Sequence, residues 1–189
     1  MVGRLATPVR ILVLLVATAA STWAAAADDS NPQVIEGFIN APLAEVWKLF
    51  TTPEGYKVLG VPQSQIDLRV GGLIRSHSVP KGVLGDPETR IEELLAYDPE
   101  RMLALRTRQQ PASIPYPDAV AGTWSVIYFT PSGADMTHVR IVGLGYRDDP
   151  SSQALRKLFA ESSRGTLDQA AKRYWPKCKL CAAEPLPAE

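Results

Sequence analysis

The feature that most constrains this chain is the stretch from Gln65 to Tyr146, where short β-rich runs follow one another with only a few turn residues between them. The runs cover residues 65–70, 73–78, 89–97, 102–108, 122–130 and 136–146. Their separators are Gly71-Gly72, the Pro80 to Pro87 stretch, Asp98-Pro99-Glu100, the proline-rich 110–118 segment and Pro131-Ser132-Gly133. Gly, Pro, Asn, Asp and Ser punctuate in this way because they supply turn conformations that strand residues avoid. A parallel pair of strands needs a crossover of a dozen or more residues, so connections this short predict an antiparallel meander.

Helical patterns bracket the meander. Residues 34–39 read as a first strand, and Asn40-Ala41-Pro42 then predicts a helix start, with Asn as N-cap and Pro in the first turn. Leu43, Val46, Trp47 and Phe50 follow at helical spacing until Thr52-Pro53-Glu54-Gly55 interrupts them, and a second short helix over 53–59 is expected. At the other end Asp148-Asp149-Pro150-Ser151-Ser152 opens a long helix that runs to Tyr174 and stops before Pro176. Leu155, Leu158, Phe159, Leu167, Ala170 and Tyr174 mark its apolar face. Its middle carries Ser162, Ser163 and Gly165, where a tightly packed helix would carry Leu, and Gly costs about 1 kcal/mol of helix propensity relative to Ala.

The first residues read as a secretory signal. Arg4 and Arg10 precede an apolar core at 11–20, and the exit through Ala25 and Ala27 fits the small-residue pattern of a cleavage site. The core falls short of the ~20 apolar residues that span a bilayer; the alternative is an uncleaved helix over 11–27. The predicted organisation is therefore a signal peptide at 1–27, one domain at 28–176 and a tail at 177–189, in a periplasmic or secreted protein without a stable membrane anchor.

Lys+Arg and Asp+Glu stand at 20 each. Loss of Arg4 and Arg10 with the signal leaves the remainder two charges on the acidic side, so the electrostatics point to no nucleic-acid partner. A domain of this size buries about 70% of its unfolded surface and needs no staples.

The residues Ile39-Asn40-Ala41-Pro42-Leu43-Ala44-Glu45-Val46-Trp47, Thr52-Pro53-Glu54-Gly55 and Asp67-Leu68-Arg69-Val70-Gly71-Gly72, with weaker matches at 92–102 and 137–145, carry a resemblance. In their order and spacing the sequence resembles the SRPBCC superfamily of START, polyketide cyclase and lipid-transport proteins, closest to the branch related to activators of a heat-shock chaperone ATPase. The resemblance implies an α+β helix-grip fold, a curved antiparallel sheet wrapped around a long C-terminal helix with two short helices after strand 1. An exported chain does not meet a cytosolic ATPase, so the architecture is what carries over, with a mostly apolar cavity between sheet and helix.

That architecture predicts which residues meet a ligand. Tyr56 and Leu59 guard one mouth; Leu95, Leu103 and Leu105 come from the middle strands; Trp124, Tyr128, Val139 and Ile141 come from the last two; Leu158, Ser162 and Gly165 come from the helix. The expected partner is a hydrophobic small molecule, a lipid or polycyclic metabolite. No cofactor or metal is expected, since the sequence has no glycine-rich phosphate loop, nucleophile elbow or paired metal-ligand spacing.

An enzyme of cyclase or dehydratase type is the alternative, with His77, Glu93 or Tyr128 as acid/base candidates. His77 shares parity with Leu73 and Arg75, and a lone strand histidine beside arginine is otherwise a solvent-facing residue. Glu93 shares parity with Ile91 and Leu95, but a one-residue slip puts Glu92 on the inner face instead. Two titratable groups within ~3–4 Å of one another in the pocket favour the enzyme, and an entirely apolar wall favours simple binding.

Cys178-Lys-Leu-Cys181 trails a helix, so it lacks the N-terminal dipole of a redox site, and two cysteines alone do not satisfy zinc. A local disulfide is expected, with a redox or metal role as the alternative.

Export has a direct check. The intact mass of protein recovered outside the cytoplasm should correspond to a chain that begins at Asp28; full-length chain in the cytosol would refute cleavage.

Overall fold

In the computed structural model, described here for residues 32–175, seven strands and four helices follow one another. The strands are β1 (Gln33–Ile39), β2 (Gln63–Ile66), β3 (Leu73–His77), β4 (Arg90–Asp98), β5 (Met102–Gln109), β6 (Trp124–Pro131) and β7 (Thr137–Leu144). The helices are α1 (Leu43–Thr51), α2 (Pro53–Val58), α3 (Pro117–Val120) and α4 (Pro150–Tyr174). All strand pairs are antiparallel and the order is β1-β7-β6-β5-β4-β3-β2. The meander expected from the turn residues is present, and the first strand closes it by pairing with the last.

The helix starts show which capping signals act. Asp149 caps α4, its Oδ1 accepting from the Ser152 amide at 2.9 Å, as the acidic Ser-rich start predicts. Thr52 caps α2 in the same way, its Oγ1 accepting from the Gly55 amide at 3.1 Å. At α1 the expected Asn40 cap is displaced: the N-cap position is Pro42, whose carbonyl accepts from the Glu45 and Val46 amides, and its side chain offers no acceptor. The first strand of the meander also shifts. Residues 67–72 turn rather than extend, the Asp67 amide donating to the Leu73 carbonyl, so β2 is Gln63–Ile66 and not 65–70. One short element, α3, begins in the last two residues of the proline-rich stretch read as a loop and runs on to Val120.

The core lies on the inner face of the sheet. Ile35 and Ile39 of β1, Val139 of β7, Ile127 and Phe129 of β6 and Leu103 and Leu105 of β5 meet Val46, Trp47, Leu49 and Phe50 of α1. Trp47 and Phe50 both stand edge-on to the Phe129 ring, at centroid distances of 5.3 and 5.2 Å. The long helix α4 packs on β1, with Leu167 Cδ1 only 3.5 Å from where a Cβ on Gly37 would stand. Its N-terminal half belongs to a second cluster, in which Leu155 and Leu158 pack with Ala119 and Val120 of α3. The helix therefore reaches the main core through Ala160 and again from Leu167 onward, and residues 161–166 between them are not buried.

The loop 78–89 is folded onto the outer face by His77. This side chain is buried; its Nδ1 accepts from the Val79 amide at 3.0 Å, and Nε2 lies 3.3 Å from Asp86 Oδ2. Desolvation pushes the Asp86 carboxyl up, but the Glu88 amide, the Thr89 hydroxyl and the His77 ring outweigh it, and the net shift is below the usual carboxylate value. A carboxyl lowered on folding stabilises the fold above its unfolded pKa, and that contribution is lost as pH falls through the folded value.

Two predictions follow from these contacts. Protection of the Gly85 and Glu88 amides, measured by hydrogen exchange, should weaken as pH falls below about 4, and the Asp86→Asn variant should lack that dependence; pH-independent protection in the parent would contradict the clasp. Two glycines should respond oppositely to alanine. A Cβ at Gly55 would stand 2.2 Å from the Lys48 carbonyl oxygen and 2.4 Å from Leu49 Cα, both backbone atoms, whereas at Gly165 it meets nothing within 4 Å. Gly55→Ala should cost about 1–3 kcal/mol or more through overpacking, and Gly165→Ala should gain about 0.5–1 kcal/mol of helix stability, as read by denaturant titration.

Candidate functional site

The unsupported middle of α4 leaves a cavity of about 200 Å³ between helix and sheet. Phe159, Ser162, Ser163 and Thr166 form its helix wall, and Tyr56, Leu59 and Val61 form the wall from α2 and the residues after it. The sheet floor runs from Ile35 and Ile141 through Ile127 and Leu105 to Glu92, Arg90 and Ser76. Ser162 is exposed and marks the mouth. Six of the residues expected to meet a ligand are brought together here: Tyr56, Leu59, Leu105, Trp124, Ile141 and Ser162.

The other predicted positions lie elsewhere, and strand register is the main reason. Tyr128 pairs with Arg140 and is 40% exposed, whereas Phe129 pairs with Val139; directly paired residues share a face, so Tyr128 stands outside and Phe129 inside. The run 126–129 is apolar in both parities, which hides the slip. Leu103 and Val139 are on the inner face but are buried in the solid core. A bulge between Leu94 and Ala96 displaces Leu95, and Leu94 is the fully buried residue. Leu158 packs near α3, and Gly165 is exposed away from the cavity.

The acid/base candidates are corrected in the same manner. Glu93 pairs with Arg108 on the outer face, and Glu92 is the carboxylate that lines the cavity. His77 does not line it, and both its ring nitrogens are engaged by the 78–89 loop. Cys178 and Cys181 lie outside the described residues, as does the signal segment. Among the described residues no group of three or more His, Cys, Asp or Glu is placed to hold a metal ion.

The lining is more polar than the expected apolar wall. Arg90 and Glu92 are its two charged residues, with Arg90 Nη2 at 3.1 Å from Glu92 Oε1. The guanidinium lies 5.4 Å from the Phe159 ring centroid, and its buried Nε has no hydrogen-bond partner among the described residues. Sequence reading missed Arg90 as a cavity residue, although its parity with Glu92 was the available signal.

Two tyrosines complete the polar end. Burial pushes the Tyr56 hydroxyl well above the ordinary phenol value; the Glu92 carboxylate raises it further and Arg90 opposes both. Burial likewise pushes Tyr146 up to about 12 against the lowering pull of Arg156 and Arg90. The Tyr146 hydroxyl donates to Gln33 Oε1 at 3.4 Å and lies over Gly143, where a Cβ would come within 2.8 Å of it. The cavity presents an apolar body ringed by hydroxyls and one internally neutralised ion pair.

No protein-family model and no curated protein sequence matches the chain. Solved structures do. The protein MLL2253 from Mesorhizobium loti aligns over 79% of this chain and 100% of its own at 17% identity, with a TM-score of 0.60. The Aha1 dimer from Colwellia psychrerythraea aligns over 75% of this chain and 96% of its own at 13% identity, with a TM-score of 0.54. CalU16 from Micromonospora echinospora aligns over 82% of this chain and 77% of its own at 17% identity, with a TM-score of 0.53. The likeness is one of fold: the antiparallel sheet, the two short helices after β1 and the long closing helix give this chain an α+β helix-grip architecture.

Proposed function

We propose that this domain is an exported binding module that holds a small, partly apolar molecule between α4 and the sheet. The observation that carries the reading is the cavity under the middle of α4, where Ser162, Ser163 and Thr166 replace the large side chains a packed helix would place there. Space of that kind costs stability when it is empty and apolar. Export is supported by the N-terminal pattern alone.

The volume narrows the occupant. About 200 Å³ exceeds the ~150 Å³ that accepts benzene and falls below the ~300–1,000 Å³ of sites for drug-sized ligands. The enclosed part of the ligand is then one or two rings or a short chain, and anything longer leaves past Ser162. A whole lipid or a large polycycle does not fit inside.

One observation favours an enzyme as a second reading: Arg90 and Glu92 are two titratable groups 3.1 Å apart within the cavity. Arg does not give up its proton in proteins, so the pair cannot pass a proton between its members. Catalysis would rest on Glu92 as the base, with Tyr56 as hydrogen-bond donor. Binding needs no such step and is the simpler account of the same residues.

Uptake of naphthalene, followed by its fluorescence, tests the binding reading. The parent should bind it, and Ser163→Leu should fill the space, keep the fold and lose about tenfold or more in affinity. A parent without uptake, or a folded Ser163→Leu protein that binds equally well, would overturn it. Native mass spectrometry separates the two readings: a binder retains its natural occupant unchanged, whereas an enzyme converts it, and Glu92→Gln stops the conversion.

A further inference from the structure

We propose that the Arg90–Glu92 pair makes the cavity selective for neutral, oxygen-bearing ligands, whose oxygen accepts a hydrogen bond from the Arg90 guanidinium, and that the pair rejects acids and amines of the same size. This rests on the binding reading above and specifies the ligand chemistry at that site.

Charge sets the first constraint on a ligand. Arg90 and Glu92 are the two charged residues of the lining, and they neutralise each other at 3.1 Å. A carboxylate brought to Arg90 meets the Glu92 carboxylate within the same few ångströms, and an ammonium brought to Glu92 meets the guanidinium. Either ion sheds part of its hydration and meets a like charge beside its partner, in partly buried surroundings that screen less than bulk water. A neutral ligand pays neither cost.

Hydrogen-bond donors set the second. A guanidinium carries five N–H donors and no acceptor. Glu92 Oε1 faces Nη2, Phe159 covers one side of the group without offering an oxygen, and the buried Nε has no partner among the described residues. The site is therefore short of acceptors. A carbonyl, ether or hydroxyl oxygen supplies one, and a pure hydrocarbon does not. Tyr56, beside this pair, adds a hydroxyl that can donate to the same oxygen. The rest of the same sheet floor, with Ile127, Ile141 and Leu105, receives the apolar body.

Four ring-sized probes test the proposal by calorimetric titration of the full chain: acetophenone, ethylbenzene, benzoate and benzylamine. Acetophenone should bind about tenfold or more tightly than ethylbenzene, the worth of a hydrogen bond to a charged donor. Benzoate and benzylamine should bind more weakly than the ketone by at least a similar factor. Arg90→Met should erase the advantage of the ketone over ethylbenzene, and Glu92→Gln should admit benzoate. The carbonyl stretch of bound acetophenone should shift down from its position in hexane, a readout on the parent protein that holds even where Arg90→Met does not fold. Binding of ethylbenzene with no gain for acetophenone, an unshifted carbonyl stretch, or benzoate equal to the ketone would each overturn this proposal while leaving the cavity a binding site. Failure of all four probes to bind would overturn the binding reading together with it.

Discussion

The docking of α4 on β1 governs this structure. β1 is the first strand in the chain and pairs with β7, the last, so the sheet edge beneath the helix is made by residues far apart in sequence. At Gly37 the strand offers backbone rather than side chain, and Leu167 lies directly over it. Ala170 and Tyr174 continue this seam into the same core as Trp47 and Phe50, and Leu155 anchors the other end against α3. A helix fixed at its two ends does not have to be apolar between them, and α4 is not.

The cavity is the direct result. With α4 drawn to the β1 side, the inner faces of β4 and β5 lack a helix to cover them fully, and α2 closes only one flank with Tyr56 and Leu59. Arg90 and Glu92 sit on this less covered floor. An ion pair that is only partly buried adds little to folding as such. Its use lies in the wall it makes, charged in its parts and neutral as a whole, in a lining that also holds the phenols of Tyr56 and Tyr146.

Architecture was legible in the sequence because it is written in redundant signals. Turn residues separated the strands, short connections made them antiparallel, and the acidic Ser-rich start with Pro176 set the span of α4. Half of the expected ligand-contacting positions fall on the cavity wall for the same reason, since Tyr56, Leu59, Leu105, Ile141 and Ser162 follow from fold and periodicity. The misplaced ones share a cause. In 126–129 both parities are apolar, and in 92–93 both are Glu, so one residue of register decides the face and composition does not reveal it. The bulge at Leu95 compounds this by breaking the period within β4. Gly165 and Ser162 looked alike as small residues, but helical geometry places one outside and the other at the mouth. His77 was invisible as a clasp because Asp86 is brought to it by a loop with no period to read.

The central claim is that α4 leaves a real, accessible space over the inner face of the sheet. Methyl NMR of the protein with naphthalene addresses it most directly. The account predicts intermolecular nuclear Overhauser effects from the bound ring to the methyls of Leu105, Ile127 and Ile141, and none to Val126 or Val142. Ring contacts confined to Val126 and Val142, or the absence of any contact to the inner-face methyls at saturating naphthalene, would contradict it.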